Sequence, residues 1–143
     1  MRGKAVVLLA VVFATTSVVV GGDANGDLKK FAGTWSVVSA QKGGKDAPEN
    51  EFKELRLVFR GDKLSVKFGE KSKDGNFKID PGKKPKQIDI TLMDKTAEGI
   101  YRFKGDNLEL CISEPDGGEA RPTEFKSAEG SRTILFLLKR EKP

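Results

Sequence analysis

Apolar and polar residues alternate along most of the chain beyond residue 33. Leu55, Leu57 and Phe59 alternate with other side chains, and the alternation resumes after a Gly-Asp turn. A period of two is typical of half-buried strands, and turn residues between two such runs are typical of hairpins. About nine such segments follow one another at intervals of roughly ten residues, which predicts an all-β sandwich or barrel. The predicted strands are TWSVVSAQ, ELRLVFR, KLSVKF, NFKID, QIDITLM, GIYRF, NLELCIS, TEFKS and TILFLLKR.

Helix signals are confined to two short segments. GDLKKFAG predicts one helical turn, with Asp27 as its N-cap, Phe31 facing the core and a glycine at its end. DAPENEFKEL predicts a second turn, with Phe52 tucked under it. The predicted fold class is therefore all-β: a small antiparallel barrel of about 8–9 strands, preceded by a short N-terminal helical turn.

The first residues of the chain have the layout of a secretory signal peptide. A positively charged start precedes an uncharged, mostly apolar stretch, and Gly22 and Ala24 supply small residues for cleavage. The apolar stretch is shorter than the roughly 20 residues that span a bilayer. We expect residues 1–24 to be a signal peptide and residues 25–143 to form one domain, exported to the periplasm or the extracellular space. An uncleaved membrane anchor is the alternative.

Charge and cysteine content narrow the classes of function. The formal net charge is +5, but lysines alternate with carboxylates along the chain, whereas nucleic-acid binding needs basic residues gathered on one face. The densest basic run, PGKKPK, is interpreted as a solvated loop. Cys111 is the single cysteine, so no internal disulfide is expected. A buried, inert thiol is predicted for it, with an intermolecular bridge or a reactive thiol as alternatives.

Catalytic chemistry has little support in the sequence. No histidine occurs, which removes the commonest general base and metal ligand. Cys111 has no histidine to activate it, and the carboxylates are scattered among lysines. We therefore predict no catalytic residue, no metal site and no cofactor. RPTEF is interpreted as a strand entry, with Arg121 paired to a nearby carboxylate and Phe125 facing inward.

The single tryptophan, Trp35, stands two residues after Gly33 at the start of the first predicted strand. When the first and last strands of a barrel pair antiparallel, the start of one meets the end of the other. A cation at the end of the last strand then lies over the indole, which contributes about 0.5–2 kcal/mol. LLKREK supplies Arg140, or failing that Lys139. Gly33, Trp35 and Arg140 are therefore the predicted barrel-closure residues.

This combination of a helical turn, Gly-x-Trp, serial hairpins and a basic last strand resembles the lipocalin (calycin) barrel. LKKFAGTWSVVSAQKGGKDAP, DPGKKPKQIDIT, GIYRFKGDNLELCIS, RPTEF and LLKREK are similar, in this order, to an uncharacterised lipocalin-like domain family abundant in planctomycete bacteria. The resemblance covers nearly the whole mature chain. It implies an exported barrel and brings no established activity. The chain is shorter than typical lipocalins and lacks their disulfide.

The predicted barrel interior is the candidate binding site. Barrels of about eight strands are either filled by side chains or hold one small ligand. Bulky inward residues favour filling, so that the protein acts without catalysis as a binding or interaction module, with an envelope protein as its partner. The alternative is a carrier of a small apolar ligand that enters opposite Trp35, which a void above about 300 Å³ favours. The candidate ligand-lining residues are Val37, Ser39, Leu57, Phe59, Phe68, Ile90, Tyr101, Phe103 and Leu110.

The remaining expectations concern partners. We expect no nucleic-acid partner, no stable membrane span after cleavage, and a monomer.

Overall fold

The computed structural model describes residues 24–115 and 120–142 and shows a closed antiparallel barrel. Eight strands pair with their neighbours in chain order, and the last returns to pair with the first. A two-residue strand, Lys45–Asp46, pairs antiparallel with the end of the first strand. The predicted small antiparallel barrel with an N-terminal helical turn is confirmed. The elements are α1 (Ala24–Phe31), β1 (Gly33–Lys42), β2 (Lys45–Asp46), α2 (Glu49–Phe52), β3 (Leu55–Arg60), β4 (Lys63–Phe68), β5 (Lys71–Asp80), β6 (Gln87–Leu92), β7 (Lys95–Lys104), β8 (Asn107–Ser113) and β9 (Thr133–Arg140).

One half of the barrel is closed by α1 and filled with aromatic rings. Phe31, the last residue of α1, is fully buried. Its ring centroid lies 4.9–5.4 Å from those of Phe59, Phe77, Tyr101 and Phe103. These distances are typical of favourable edge and tilted aromatic pairs. The closed end therefore has a dense aromatic core, and α1 contributes the central ring.

The prediction of a strand at TEFKS is wrong, because residues 123–127 form bends and irregular chain. The physical reason lies on β7 and β8, where Ile100 and Cys111 are paired neighbours. Both are buried, although they alternate with residues that face the interior, and neither belongs to the main core cluster. An apolar patch on the outer wall of a barrel needs a cover. The segment at 120–128 supplies this cover instead of adding a strand.

Two predictions concern the start of the chain, namely the signal peptide and the N-cap of the first helix. The predicted signal peptide, residues 1–24, lies outside the described residues except for Ala24, which begins α1. Asp27 is not an N-cap, because it lies inside α1 and is buried. Within the described ranges, neither helix is long and apolar enough to cross a membrane.

Candidate functional site

The two ends of the barrel differ, and the closed end is held by Trp35 and Arg140. Trp35 on β1 pairs with Arg140 on β9, and its side chain is buried. The Arg140 guanidinium carbon lies 4.3 Å from the indole centroid. The same guanidinium donates to the carbonyl oxygens of Ala32, at 2.6 Å, and Lys30, while the indole N–H donates to the carbonyl of Phe31 at 2.8 Å. Strand closure and the docking of α1 therefore depend on one stacked pair.

Gly33 is required at this junction for two reasons. Its φ of +128° belongs to the region that side chains rarely adopt. A Cβ atom at this position would lie 2.9 Å from Nη1 of Arg140. Because position 33 has no side chain, the Arg140 guanidinium has room to reach the carbonyl groups at the end of α1.

A buried polar cluster lies beside the aromatic core at the closed end. The Asp27 carboxylate is 3% exposed and accepts hydrogen bonds from the Tyr101 hydroxyl at 2.7 Å and from Nζ of Lys86 at 2.9 Å. Burial, the hydrogen bond to Asp27 and the charges of Asp27 and Asp80 raise the pKa of the Tyr101 phenol well above its ordinary value. The cluster anchors α1 to β7. The sequence places Tyr101 among the inward positions of the barrel, but it does not indicate that Asp27 is the hydrogen-bond partner of this tyrosine.

Tyr101 is the single tyrosine of the chain, so its ionisation can be followed by tyrosinate absorbance. Because its pKa is raised in the folded state, the unfolded chain loses the phenolic proton first, above pH about 10. The Tyr101 phenol therefore contributes to the free energy of unfolding below that pH, and this contribution declines as the pH rises further. We expect no tyrosinate signal until the fold is lost, with circular dichroism recorded on the same samples. Reversible ionisation near pH 10 with the fold intact would contradict the buried cluster.

A cavity of about 420 Å³ lies at the open end of the barrel. Ile112 pairs with Ile134, which pairs with Lys42 at the end of β1 far from Trp35. The cavity is therefore at the end opposite the indole, and its volume exceeds the threshold of about 300 Å³ for a ligand pocket. Its lining is mostly apolar and consists of Lys73, Ile90, Leu92, Met93, Lys95, Ala97, Ile112 and Pro115.

The turn at the rim of this cavity has an unusual backbone. Met93 and Asp94 join β6 to β7 with φ values of +50° and +67°. Such two-residue hairpin turns favour asparagine and glycine, and a non-glycine residue in this region costs of order 1–3 kcal/mol. Met93 is also 67% exposed. The chain thus keeps a flexible apolar side chain at a strained rim position, where a polar turn residue would fit better.

The predicted ligand-lining residues fall into three groups. Ile90 lines the open-end cavity. Tyr101 and Phe103 lie at the closed end, beside α1. The others that are buried pack within the main core and do not line the open-end cavity; they are Val37, Leu57, Phe59 and Leu110. Leu92, Met93, Ala97 and Ile112 were not among the predicted lining residues.

The prediction that Ser39 and Phe68 line a ligand site is wrong. The register of β1 against β9 shifts between Val37 and Ser39, which is a bulge. The extra residue reverses the alternation, so that Ala40 is buried and Ser39 is exposed. Phe68 has the inward parity, but it is the last residue of β4 and is 43% exposed at the rim. Its side chain therefore lies outside the enclosed part of the barrel.

Arg121 fastens the segment at 120–128 to the outer wall. One guanidinium nitrogen lies 2.8 Å from the Asp89 carboxylate, and the other donates to the carbonyls of Ile88 and Gly99 at 3.0 and 2.9 Å. The expected ion pair of Arg121 is confirmed. Phe125, expected to face inward, instead lies under the Arg102 guanidinium at 4.2 Å. RPTEF is therefore part of the cover over the outer wall.

Cys111 is fully buried under this cover. Its sulfur lies 3.4 Å from the carbonyl oxygen of Glu124 and 3.5 Å from that of Lys126. Burial raises the pKa of the Cys111 thiol, and the charge of Glu109 adds to the increase. The thiolate, which is the reactive species, is therefore scarce at neutral pH.

We expect a thiol reagent to label Cys111 slowly in the folded protein and rapidly in denaturant. Free cysteine with the same reagent provides the reference rate for an unprotected thiol. Labelling of the folded protein at a rate close to this reference would contradict the buried, protonated thiol.

Among the described residues, no group of three or more potential ligands is placed to hold a metal ion. No protein-family model, no curated protein and no solved structure matches the chain.

Proposed function

We propose that this protein is an exported, non-catalytic binding module of lipocalin-like type that carries a small apolar molecule at the open end of its barrel. The observation that supports this proposal is the cavity of about 420 Å³ opposite Trp35. Its volume lies within the roughly 300–1,000 Å³ of small-molecule sites, and its walls are mostly hydrocarbon. The closed half of the barrel interior is filled by Phe31 and its aromatic neighbours, so an apolar ligand inside the barrel is restricted to the open half.

The lining selects the chemistry of the ligand. The two lysines of the lining, Lys73 and Lys95, are exposed to solvent. Leu92, Ala97 and Ile112 offer hydrocarbon surface and no hydrogen-bonding side chain. A sugar or nucleotide placed against them would leave hydroxyl groups unpaired, at a cost of about 1–3 kcal/mol for each buried group. An apolar molecule incurs no such penalty and gains about 25 cal/mol for each Å² removed from water.

The strained turn gives further support. Backbone strain of this kind concentrates at functional positions, and the unbranched Met93 side chain adapts to ligands of different shape. A turn selected for stability alone would have asparagine and glycine at these two positions.

The direct test is a titration with the neutral dye N-phenylnaphthylamine, whose fluorescence rises in apolar surroundings. We expect saturable binding to the purified protein and loss of binding in Leu92→Asp, which puts a charge on the cavity wall. Val38→Asp is the matched control, because Val38 is 48% exposed and does not line the cavity. Circular dichroism checks that both variants fold. Absence of saturable binding, or equal binding by the two variants, would contradict the proposal.

Met93→Asn should separate stability from binding. Asparagine suits the positive φ of this position, so we expect the free energy of unfolding to rise by about 0.5–1 kcal/mol. Dye affinity should fall roughly threefold to tenfold, because about 1 kcal/mol of apolar contact is lost. Denaturant unfolding and the dye titration measure the two effects. Binding that strengthens or stays constant would show that Met93 does not contact the ligand.

A second candidate function is docking of an envelope protein at the same rim. Phe68 and Met93 are large apolar side chains exposed at the open end, at 43% and 67%. Phe68→Asp distinguishes the two functions, because Phe68 does not line the cavity. Dye binding is expected to persist in this variant, whereas docking of a protein on the rim would be lost.

A further inference from the structure

A second cavity, of about 440 Å³, opens at the closed end of the barrel. It lies between α1, the end of β7 and the loop that joins β5 to β6. Five of its lining side chains are cationic, and none is a carboxylate. The cations come from separate parts of the chain and are Lys30, Lys83, Lys84, Lys86 and Arg102.

Only part of this positive charge is neutralised within the protein. Lys86 pairs with Asp27, and Arg102 pairs with Glu109. In the part of the chain that the structure describes, Lys30, Lys83 and Lys84 have no carboxylate within ion-pair distance. Like charges gathered around a concave surface attract counter-ions and raise their local concentration. The cavity therefore favours an anion.

The wall of the cavity is aromatic. Phe103 and Phe125, which are partly exposed, line it beside the fully buried Tyr101, and cations lie close to the rings of Phe103 and Phe125. Nζ of Lys30 is 5.6 Å from the Phe103 centroid, and the Arg102 guanidinium carbon is 4.2 Å from that of Phe125. An ion such as phosphate would leave this apolar wall unused, and a neutral molecule would leave the lysines without a partner.

Prolines frame the basic loop. Pro81 and Pro85 stand on either side of Lys83 and Lys84 and also line the cavity. A proline fixes its own backbone φ, which lowers the conformational entropy lost when a ligand orders the loop. The loop that the sequence indicates as a solvated run is thus one wall of an open cavity, and Lys83 and Lys84 remain exposed to solvent.

We propose that this closed-end cavity is a second binding site, for a small anion with an aromatic body, such as an aromatic carboxylate or sulfonate. The anionic group lies among Lys30, Lys83 and Lys84, and the ring packs against the aromatic wall. A long nucleic acid needs a basic stripe across a surface, whereas these lysines surround one concave pocket. The site is independent of the apolar site at the open end.

Two dyes with the same ring system separate the sites. Anilinonaphthalene sulfonate carries the negative charge that N-phenylnaphthylamine lacks. We expect the double variant Lys83→Gln/Lys84→Gln to bind the sulfonate about tenfold more weakly, which corresponds to the loss of two exposed charge contacts. Binding of the neutral dye should be unchanged in this variant. Naphthoate should compete with the sulfonate dye more strongly than inorganic phosphate does.

The matched control is Lys45→Gln/Lys53→Gln, which removes the same charge from exposed positions that do not line the cavity. It should bind both dyes as the unaltered protein does. In Leu92→Asp, loss of the neutral dye with retention of the sulfonate supports two separate sites. Equal weakening of the sulfonate dye by both lysine pairs would overturn the closed-end site. Loss of the sulfonate dye in Leu92→Asp would overturn it too, because the dye would then occupy the open end.

Discussion

Replacing Phe31 by alanine is expected to lower the free energy of unfolding by about 3–5 kcal/mol. The ring is fully buried and lies within 5.4 Å, centroid to centroid, of four other aromatic rings. Its removal leaves a cavity at the centre of the closed half, which rigid strands on all sides cannot fill. Equilibrium unfolding in denaturant measures the effect.

Phe68→Ala is the control for this variant, since it removes the same side chain from an exposed rim position. Its expected effect is about 0.5 kcal/mol or less. The Phe31 variant should also loosen α1, so that the Tyr101 phenol, held by Asp27 of α1, ionises at a lower pH. Similar effects of the two phenylalanine substitutions would show that Phe31 is not the centre of the core.

Replacing Trp35 by alanine is expected to lower the free energy of unfolding by about 3–5 kcal/mol, as other truncations of large core side chains do. Arg140→Ala should cost about 0.5–2 kcal/mol, because it removes a stacked cation from the indole. It also removes the hydrogen bonds that hold the end of α1. Both values come from denaturant unfolding.

A double-mutant cycle isolates the stacking. Arg140 loses its ring contact when Trp35 is absent, so the double variant should cost less than the sum of the single variants. Arg140→Lys is the conservative control, which keeps the charge but cannot make the same forked contacts. Strict additivity would contradict stacking as a contribution to barrel closure.

The barrel was predictable because each strand carries its own signal. Alternation depends only on neighbouring residues, and the Trp35–Arg140 contact follows from antiparallel pairing of the first and last strands. The bulge at Ser39 was not predictable, because SVVSA contains no residue that marks an inserted position. TEFKS alternates like a strand, yet it serves as a cover for Ile100 and Cys111.

The candidate sites were harder to predict from the sequence than the fold was. Parity identifies inward residues, but it does not indicate which half of the barrel is filled. That depends on Phe31, which reaches the interior only because α1 folds back over one end. The basic cavity was missed for a similar reason. PGKKPK is a local run, and its proximity to Lys30 and Arg102 exists only in three dimensions.

The most direct test of the proposed ligand site is a methyl NMR titration of the protein with N-phenylnaphthylamine. We expect saturable shifts for the methyl groups of Ile90, Leu92, Ala97 and Ile112, which line the open-end cavity. The methyl groups of Leu138, buried in the core and absent from the cavity lining, should remain unshifted. No saturable shift at the open end, or shifts confined to the closed end or the outer wall, would contradict an apolar ligand site at the open end of the barrel.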